Sequence, residues 1–300
     1  MGNIKPLIWL IGKNGMLGRE LSLLLESSGL PYIGTGREVN ITDMEALFSF
    51  ADAHRKSIRW IINCAAYTGV DKAENDTENC RRLNTEAAGN VACVANKTGA
   101  SLVHISTDYV FNGRGNRPYT EEDATDPVNF YGLTKRDGEE MVLIENKNTY
   151  ILRTSWLYGS YGKNFVLSMI NLMREQETIR VVNDQWGSPT WTRDLAEAII
   201  TFLKTADAGK PAPLGIYHFS SEGEICWFDF AKEILNQGQA LGILKKNCEL
   251  VPCTSIEFTS IAKRPPYSVL DKSKMRAVLN VNIPLWNKSL NYFLSEKVYA

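Results

Sequence analysis

A strand, a glycine turn and a helix at the start of the chain constrain its fold more than any other feature. Five apolar residues, Leu7 to Ile11, predict a buried strand, and the pattern GxxGxxG follows directly, from Gly12 to Gly18. The first glycine allows a tight turn, the second lets the backbone approach a pyrophosphate, and the third permits close packing of the next helix. Unpaired N–H groups and the dipole at a helix N-terminus favour an anion. We therefore predict a dinucleotide site formed by Gly12, Asn14, Gly15, Met16, Leu17 and Gly18.

The first half of the chain alternates short apolar runs with helical stretches. The runs predict strands at Tyr32-Ile33-Gly34, Trp60-Ile61-Ile62-Asn63, Ser101-Leu102-Val103-His104-Ile105 and Tyr150-Ile151-Leu152, with one intervening helix from Cys80 to Lys97. This alternation predicts an α/β fold with a doubly wound parallel sheet of the Rossmann type. Beyond Arg153 the pattern is less regular and rich in aromatic residues, which predicts a smaller α/β substrate-binding lobe. We assign residues 1–153 and about 183–206 to the dinucleotide-binding domain, and about 154–182 and 207–300 to the second lobe.

Ligands of such sheets bind beyond the carboxyl ends of the strands, and three segments of this chain fall there. They are Cys64-Ala65-Ala66-Tyr67, Ser106-Thr107-Asp108 and Arg153-Thr154-Ser155-Trp156. Alanines at a strand end can admit a cofactor closely, although they are also ordinary packing residues. Within a nucleotide-binding fold we favour cofactor contact for Cys64, Ala65, Ala66 and Tyr67.

The loop after the second strand bears on the choice of cofactor. A fold that prefers NAD often places an acidic residue there, on the ribose hydroxyls. This chain has Thr35-Gly36-Arg37. A guanidinium at Arg37 can pair with a 2′-phosphate, which favours NADPH, but a solvated loop arginine explains the residue nearly as well. The choice between NADPH and NADH stays open at this point.

Thr107, Tyr131 and Lys135 supply the hydroxyl, phenol and ammonium of a carbonyl-reducing site. Tyr131 and Lys135 are four residues apart in a predicted helix, so they lie on one face and can point into one cleft. A ketone that accepts a hydride also needs a proton, which Tyr131 can give. The positive charge of Lys135, together with that of the oxidised nicotinamide, is expected to favour the phenolate and so lower the pKa of Tyr131. Taken alone, Tyr-x-x-x-Lys is usually a helix surface pair, but its context beyond a glycine motif favours an active site.

Composition argues against several other classes of protein. The chain has 300 residues and a formal net charge of −1, which gives no electrostatic basis for binding nucleic acid or an anionic membrane surface. Its six cysteines lack CxxC spacing, which favours reduced, packed thiols over a zinc site or disulfides. We predict no metal. The sequence shows neither a signal-like segment nor an apolar run of membrane-spanning length, so we expect a cytoplasmic protein without a membrane partner.

Longer motifs extend this interpretation across nearly the whole chain. They are GKNGMLG from Gly12, NCAAYTGVDKAE from Asn63, STDYVFNG from Ser106, PYTEED from Pro118, YGLTK from Tyr131, RTSWLYG from Arg153, NDQWGSPTW from Asn183 and RPPYSVLD from Arg264. On these motifs the chain resembles the extended short-chain dehydrogenase/reductases. The glycine motif and Tyr-x-x-x-Lys are shared with sugar epimerases and dehydratases, whereas VDKAE, STDYVF and DQ-x-G-x-PT resemble a reductase branch.

That resemblance implies a nucleotide-sugar substrate, with reduction of the 4-keto group of dTDP-4-dehydro-L-rhamnose by NADPH or NADH. It implies that Thr107 orients the keto oxygen, that Tyr131 protonates it, and that Lys135 holds the nicotinamide ribose. The implied substrate contacts are Val70, Thr107, Asp108, Tyr131, Trp156, Asn164 and Arg264. For Arg264 the contact is with phosphate, and a surface arginine before Pro265 is an equal explanation. A homodimer is compatible with the resemblance, while the oligomeric state stays open.

Two other functions remain open. A relative of the reductase branch, the regulatory β subunit of methionine adenosyltransferase, keeps the fold and the dinucleotide site but serves as a binding partner. The second alternative is a reductase, epimerase or dehydratase of another nucleotide sugar. A dehydratase needs an acid/base pair beside the threonine, typically Asp-Glu, and Thr107-Asp108-Tyr109 has only the aspartate. Simple reduction therefore fits better.

Overall fold

The structure is a computed structural model that describes residues 7–54, 57–280 and 282–296. Its strands are β1 (Leu7–Ile11), β2 (Tyr32–Thr35), β3 (Ile58–Asn63), β4 (Ser101–Thr107), β5 (Thr149–Thr154), β6 (Leu157–Tyr158), β7 (Thr178–Val182), β8 (Trp186–Gly187), β9 (Thr190–Trp191), β10 (Gly215–His218), β11 (Ile225–Cys226) and β12 (Glu249–Cys253). Its α-helices are α1 (Met16–Ser27), α2 (Met44–His54), α3 (Val70–Ala73), α4 (Thr77–Arg81), α5 (Ala87–Thr98), α6 (Phe130–Glu145), α7 (Phe165–Glu175), α8 (Thr192–Asp207), α9 (Trp227–Ala240), α10 (Ser273–Leu279) and α11 (Trp286–Ser295). Across the described ranges, every helix is too short or too polar to span a bilayer.

A parallel sheet with strand order β10-β5-β4-β3-β1-β2 forms the centre of the molecule. Successive side chains of its strands face opposite layers of helices. Leu10 and Ile62 belong to the core shared with α1 and α8, whereas Trp9 and Ile61 belong to the core shared with α2, α5 and α6. This is the doubly wound sheet predicted from the sequence, and all the predicted strands lie in it.

The second part of the chain carries the small sheets β6-β9, β12-β7 and β8-β11. Helices α7, α9 and α11 pack together around Ile170, Phe230 and Leu290. One strand of this part returns to the central sheet, because β10 pairs with β5 and places Ile216 opposite Ile151. The sequence division puts residues 207–300 in the second lobe, so it misplaces this strand. The division into two domains otherwise stays a prediction.

The helix predicted from Cys80 to Lys97 is interrupted. After α4 the chain forms a π-helical turn, Arg82–Glu86, before α5 begins. The turn brings the backbone of Asn84 against α6, where a Cβ at position 138 would overlap the Asn84 carbonyl oxygen, so Gly138 permits the close approach. Such turns within α-helices recur at functional sites. This one lies beside the helix that carries Tyr131 and Lys135.

Candidate active site

The glycine loop joins the carboxyl end of β1 to the N-terminus of α1. Gly12 has a φ of +83°, and a Cβ there would lie 2.8 Å from the backbone nitrogen of Ala65. Both the backbone conformation and the lack of space therefore exclude larger residues at position 12. A Cβ at Gly18 would overlap the carbonyl oxygen of Gly12. Gly15 is the N-cap of α1 and leaves the first N–H groups of the helix without a side-chain cap. The loop therefore fits a bound pyrophosphate. The first two residues of the helix are Met16 and Leu17.

The loop after β3 lies against the glycine loop and is held in place by Asn84, a residue that sequence reasoning did not single out. The segment Cys64-Ala65-Ala66 is half-buried, and Tyr67 N donates to Asn84 Oδ1 at 2.8 Å. Asn84 Nδ2 donates back to the Tyr67 carbonyl at 3.1 Å and lies 3.2 Å from Thr134 Oγ1 on α6. Asn84 thus joins the loop after β3 to α6. A single asparagine in a helical stretch gives no sequence signal for this role.

Arg37 and Glu38 lie in the loop after β2, where a fold of this type recognises the adenosine ribose. Arg37 is exposed, and Asn14 packs against the neighbouring Gly36, where a Cβ would lie 2.5 Å from the Asn14 amide nitrogen. Glu38 Oε1 accepts a hydrogen bond from Gly36 N at 2.8 Å and lies 3.1 Å from Lys13 Nζ. These contacts, the backbone hydrogen bonds first, lower the pKa of Glu38 to about 2. Sequence reasoning missed Glu38, whose carboxylate suits ribose hydroxyls, so cofactor choice stays open.

Thr107, Asp108 and Tyr131 come together where β4 ends and α6 begins. Asn129 caps α6 by accepting from Gly132 N at 2.7 Å, which fixes the turn that carries Tyr131. Thr107 Oγ1 donates to Asp108 Oδ1 at 3.0 Å, and the Thr107 hydroxyl lies near enough to the Tyr131 phenol to act on its pKa. Burial raises the pKa of Asp108 to about 7, and its Oδ2 is buried without a partner among the described residues. The cluster offers two hydroxyl groups and a carboxyl group that titrates near neutral pH.

In the free protein, burial raises the pKa of Tyr131, because a phenolate there would lack solvation, and the Thr107 hydroxyl opposes this effect. The lowering expected from Lys135 together with an oxidised nicotinamide stays a prediction. Because a neutral phenol is the form that can give a proton to a ketone oxygen, the raised pKa suits a general acid.

Lys135 lies one helical turn after Tyr131 and is 2% exposed. Its Nζ donates to the carbonyl oxygen of Ile105 at 2.7 Å and lies 3.5 Å from His104 Nε2. Burial lowers the pKa of Lys135 to about 8. His104 is a buried residue of β4, as its apolar strand predicts, and burial lowers the pKa of His104 well below its ordinary value. Thr107 and Tyr131 therefore come together where β4 ends, and Lys135 contacts the same strand at Ile105, while the roles of the three side chains stay a prediction.

Trp156 follows β5 in a strained conformation, with a φ of +46° that bulky side chains rarely adopt. The ring of Trp227 stacks on it, with centroids 3.5 Å apart and planes 6° apart. A Cβ at Gly187 would overlap the Trp156 ring beside Nε1, so Gly187 permits the close packing of this ring. Sequence reasoning missed Trp227 as the residue that stacks on Trp156.

Asn164 and Val70 have local roles. Asn164 is the N-cap of α7, where its Oδ1 accepts from Leu167 N at 3.1 Å and its Nδ2 donates to the Gly159 carbonyl at 2.8 Å. Both ends of the amide therefore contact backbone, and such a cap contributes about 1 kcal/mol. Val70 begins α3 and is half-buried. Contact of either residue with a sugar stays a prediction.

Arg264 is paired with a carboxylate from α3. Its Nη2 lies 2.9 Å from Asp71 Oδ2, and its Nη1 lies 3.3 Å from Asp71 Oδ1. Asp71 Oδ1 also accepts from Ala262 N at 3.1 Å and from Ser260 Oγ at 3.0 Å. Arg264 is therefore a bridging residue rather than a free surface arginine, and a phosphate would have to compete with Asp71 for it.

Similarities to known proteins agree with this geometry. Residues 6–298 match the family model described as the RmlD substrate binding domain. A dTDP-4-dehydrorhamnose reductase from Streptomyces griseus is 42% identical over 285 residues, which are 94% of this chain and 91% of that protein. A dTDP-4-keto-6-deoxy-D-glucose reductase from Streptomyces niveus is 37% identical over 94% of each chain. The crystal structure of a Bacillus anthracis dTDP-4-dehydrorhamnose reductase in complex with NADP is 36% identical, with a TM-score of 0.89 over 98% of this chain and 100% of that chain.

Proposed function

This chain belongs to the RmlD substrate binding domain family, and we propose that it reduces the 4-keto group of dTDP-4-dehydro-L-rhamnose to give dTDP-L-rhamnose. The observation that carries the proposal is that Thr107 and Tyr131 come together where β4 ends, while Lys135, on the same helical face as Tyr131, donates to the Ile105 carbonyl of that strand. The glycine loop that fits a pyrophosphate lies against the neighbouring strand end, where Gly12 contacts Ala65. The relatives described above that are reductases support the same reaction.

The site supplies what ketone reduction requires, which is a hydride at carbon and a proton at oxygen. A bound reduced nicotinamide supplies the hydride that C4 of the sugar accepts. Tyr131 donates its phenolic proton to the C4 oxygen, which becomes a hydroxyl group while Tyr131 becomes a phenolate. Thr107 orients that oxygen, and the ammonium of Lys135 stabilises the negative charge on Tyr131. General acid catalysis contributes about 10²–10⁴-fold, so alignment of the ketone must supply much of the remainder.

The substrate contacts we propose follow from the side chains that border this cluster. Asp108 can donate or accept a hydrogen bond near neutral pH, because burial raises its pKa to about 7. Trp156, whose ring is held by stacking on Trp227, contacts the sugar. Val70 and Asn164 are the remaining residues that we propose contact the sugar. Arg264 contacts the diphosphate after its guanidinium releases Asp71.

For the cofactor we propose NADPH or NADH, held by the glycine loop and by residues 64–67. The NADP in the Bacillus anthracis relative supports the phosphorylated form. Arg37 suits a 2′-phosphate, whereas Glu38 suits the free ribose hydroxyls of NADH. We therefore expect activity with at least one of the two cofactors.

The same proposal describes a cytoplasmic enzyme that acts on a small molecule. The net charge of −1 gives no basis for a nucleic-acid partner, and Cys64, Cys80, Cys93, Cys226, Cys248 and Cys253 are all free thiols, as in a reducing compartment. We include a homodimer in the proposal only because the family resemblance of the sequence is compatible with one.

Turnover tests the proposal directly. Oxidation of NADPH and of NADH is followed by absorbance with enzymatically prepared dTDP-4-dehydro-L-rhamnose. The wild type is expected to oxidise at least one cofactor, and Tyr131→Phe is expected to lower kcat by about 10²–10⁴-fold with NADPH affinity unchanged. Tyr150→Phe is the matched control, because Tyr150 is another buried tyrosine, and its hydroxyl donates to the Ala212 carbonyl at 3.1 Å.

A wild type that binds NADPH but oxidises none with this sugar contradicts the proposed substrate. The ketosugar in the name of the Streptomyces niveus relative, dTDP-4-keto-6-deoxy-D-glucose, is then the next substrate to assay. Failure with both sugars leaves a dinucleotide-binding regulatory subunit as the better explanation.

A further inference from the structure

One stripe of α6 carries a third charged side chain after Tyr131 and Lys135. Glu139 stands one further helical turn along and is 3% exposed, so helical spacing places the three residues on one face. Its Oε1 accepts hydrogen bonds from Ser106 Oγ and, at 3.0 Å, from Arg153 Nε. Its Oε2 accepts from Arg153 Nη2 at 2.7 Å. The proposed mechanism does not use this carboxylate, although it lies buried behind the reacting groups.

Arg153 is held as firmly as its partner. It is 3% exposed, its guanidinium carbon lies 5.1 Å from the centre of the Phe111 ring, and its Nη1 lies 3.4 Å from His218 Nε2. Burial, and then the charge of Arg153, lower the pKa of His218 to about 3, so His218 adds no second positive charge. Desolvation largely offsets the attraction within a buried ion pair, so stability alone does not account for a pair at this position.

The titratable groups that face Lys135 come from four elements. They are Cys64 after β3, Cys80 on α4, His104 on β4, and Tyr131 and Glu139 on α6. Burial raises the pKa of both thiols and lowers the pKa of His104, so these three groups are neutral near pH 7. Glu139 is the carboxylate of the set. It is also the strongest influence that favours the charged form of Lys135 against burial.

We propose that Glu139 is a positioning residue: Arg153 and Ser106 fix its carboxylate so that it keeps Lys135 charged and in place beside Tyr131. The inference rests on the proposed reductase function, which gives that charge its purpose. The ion pair is oriented, because Glu139 shares α6 with Lys135 while Arg153 approaches from β5. Lys135 therefore experiences the carboxylate more strongly than the guanidinium.

Two charge-removing variants are expected to act in opposite directions on the alkaline limb of the pH profile. The wild-type limb lies near pH 8, since the pKa of Lys135 is about 8. Glu139→Gln keeps the shape of the side chain but removes its negative charge. The midpoint of the alkaline limb therefore falls by about one pH unit. Arg153→Met leaves the carboxylate without its partner, so the limb moves up. A merely structural role would lower stability in both variants without this opposition.

Two readouts follow the limb: kcat at saturating NADPH and sugar, and NADPH affinity measured by fluorescence, which needs no turnover. Glu139→Asp and Arg153→Lys keep the charges and should keep the wild-type limb. Glu20→Gln is the matched control, because Glu20 is another buried carboxylate, 1% exposed, whose Oε1 lies 2.7 Å from Arg193 Nε. It should lower stability and leave the limb unmoved.

Shifts in the same direction for Glu139→Gln and Arg153→Met, or no shift in either, overturn the inference. If Glu139→Gln does not fold, Arg153→Met decides alone, since the proposed role requires an upward shift. A wild type without turnover rejects the proposed function instead. In that case the pH dependence of NADPH affinity tests the positioning role. Opposite shifts of its alkaline limb in Glu139→Gln and Arg153→Met support the role.

Discussion

On the proposed cofactor side of the site the closest contacts are made by backbone atoms, and on the proposed substrate side by side chains. The backbone of Gly12 approaches both the next strand end and the backbone at Gly18 so closely that an added Cβ would collide. On the proposed substrate side, Trp156, in the loop after β5, stacks on Trp227 of α9. A site formed by close backbone contacts has no room for an added atom. A site formed by side-chain contacts can lose one of them while the backbone keeps its conformation.

The same contrast appears in sequence distance. The turn from Gly12 to Gly18 spans seven consecutive residues, whereas Asp71 meets Arg264 across 193 positions. Substitutions on the cofactor side should therefore act steeply and on binding of NADPH, and those on the substrate side should act gradually and on KM.

The largest effect is expected from Gly18→Ala. The new Cβ would overlap the Gly12 carbonyl, so the turn or α1 must shift, and NADPH affinity should fall by about 100-fold or more. Gly89→Ala is the control, because its Cβ would meet only the flexible Met141 side chain, at 3.3 Å. Fluorescence titration with NADPH measures both. Equal affinity in Gly18→Ala and the wild type would remove the distinction between the two sides.

A smaller effect, on stability, is expected from Asp108→Asn at the junction of the two sides. Burial raises the pKa of Asp108 to about 7, so the folded state binds this proton more tightly than the unfolded state. Its stabilising contribution is full below about pH 4 and is lost as the pH rises to about 7. Relative to Asp108→Asn, the wild type should lose about 2 kcal/mol between pH 5 and pH 8. Urea denaturation at the two pH values checks this, and a constant difference would contradict it.

The smallest effect is expected from Trp227→Leu. Loss of the stacked ring frees Trp156 to leave its strained conformation, so KM for the sugar should rise about tenfold, with less change in kcat. Trp286→Leu in the same lobe is the comparison, since Trp286 packs on Phe230 with ring centroids 5.8 Å apart. A steep loss of NADPH affinity in Trp227→Leu would show that the two sides are not independent.

Features set by local rules could be predicted from the sequence. Apolar runs predicted the strands of the central sheet, and the glycine pattern predicted the turn with its positive φ at Gly12. The helical spacing of Tyr131 and Lys135 predicted that they share a face. Each of these depends on neighbouring residues, whose chemistry limits the backbone strongly.

Features set by tertiary contact could not be predicted. The residues around Asn84 carry no sequence signal for a π-helical turn. The turn depends on the close packing of the Asn84 backbone against Gly138 of α6. The pairing of Glu139 with Arg153 joins a helix to a strand, and each residue alone resembles an ordinary charged position. The raised pKa of Tyr131 was missed for the same reason, since burial is decided by the whole fold.

The late strand β10 has a consequence for the order in which the enzyme can assemble. During synthesis, β1 to β5 emerge while the outer edge of β5 has no neighbour, and an open edge can pair with other chains. Register places His218 opposite Arg153, so the same strand that closes this edge also completes the surroundings of the ion pair behind Lys135. A nascent chain thus acquires its protected edge and the surroundings of this ion pair in one event, after the ribosome has passed residue 218.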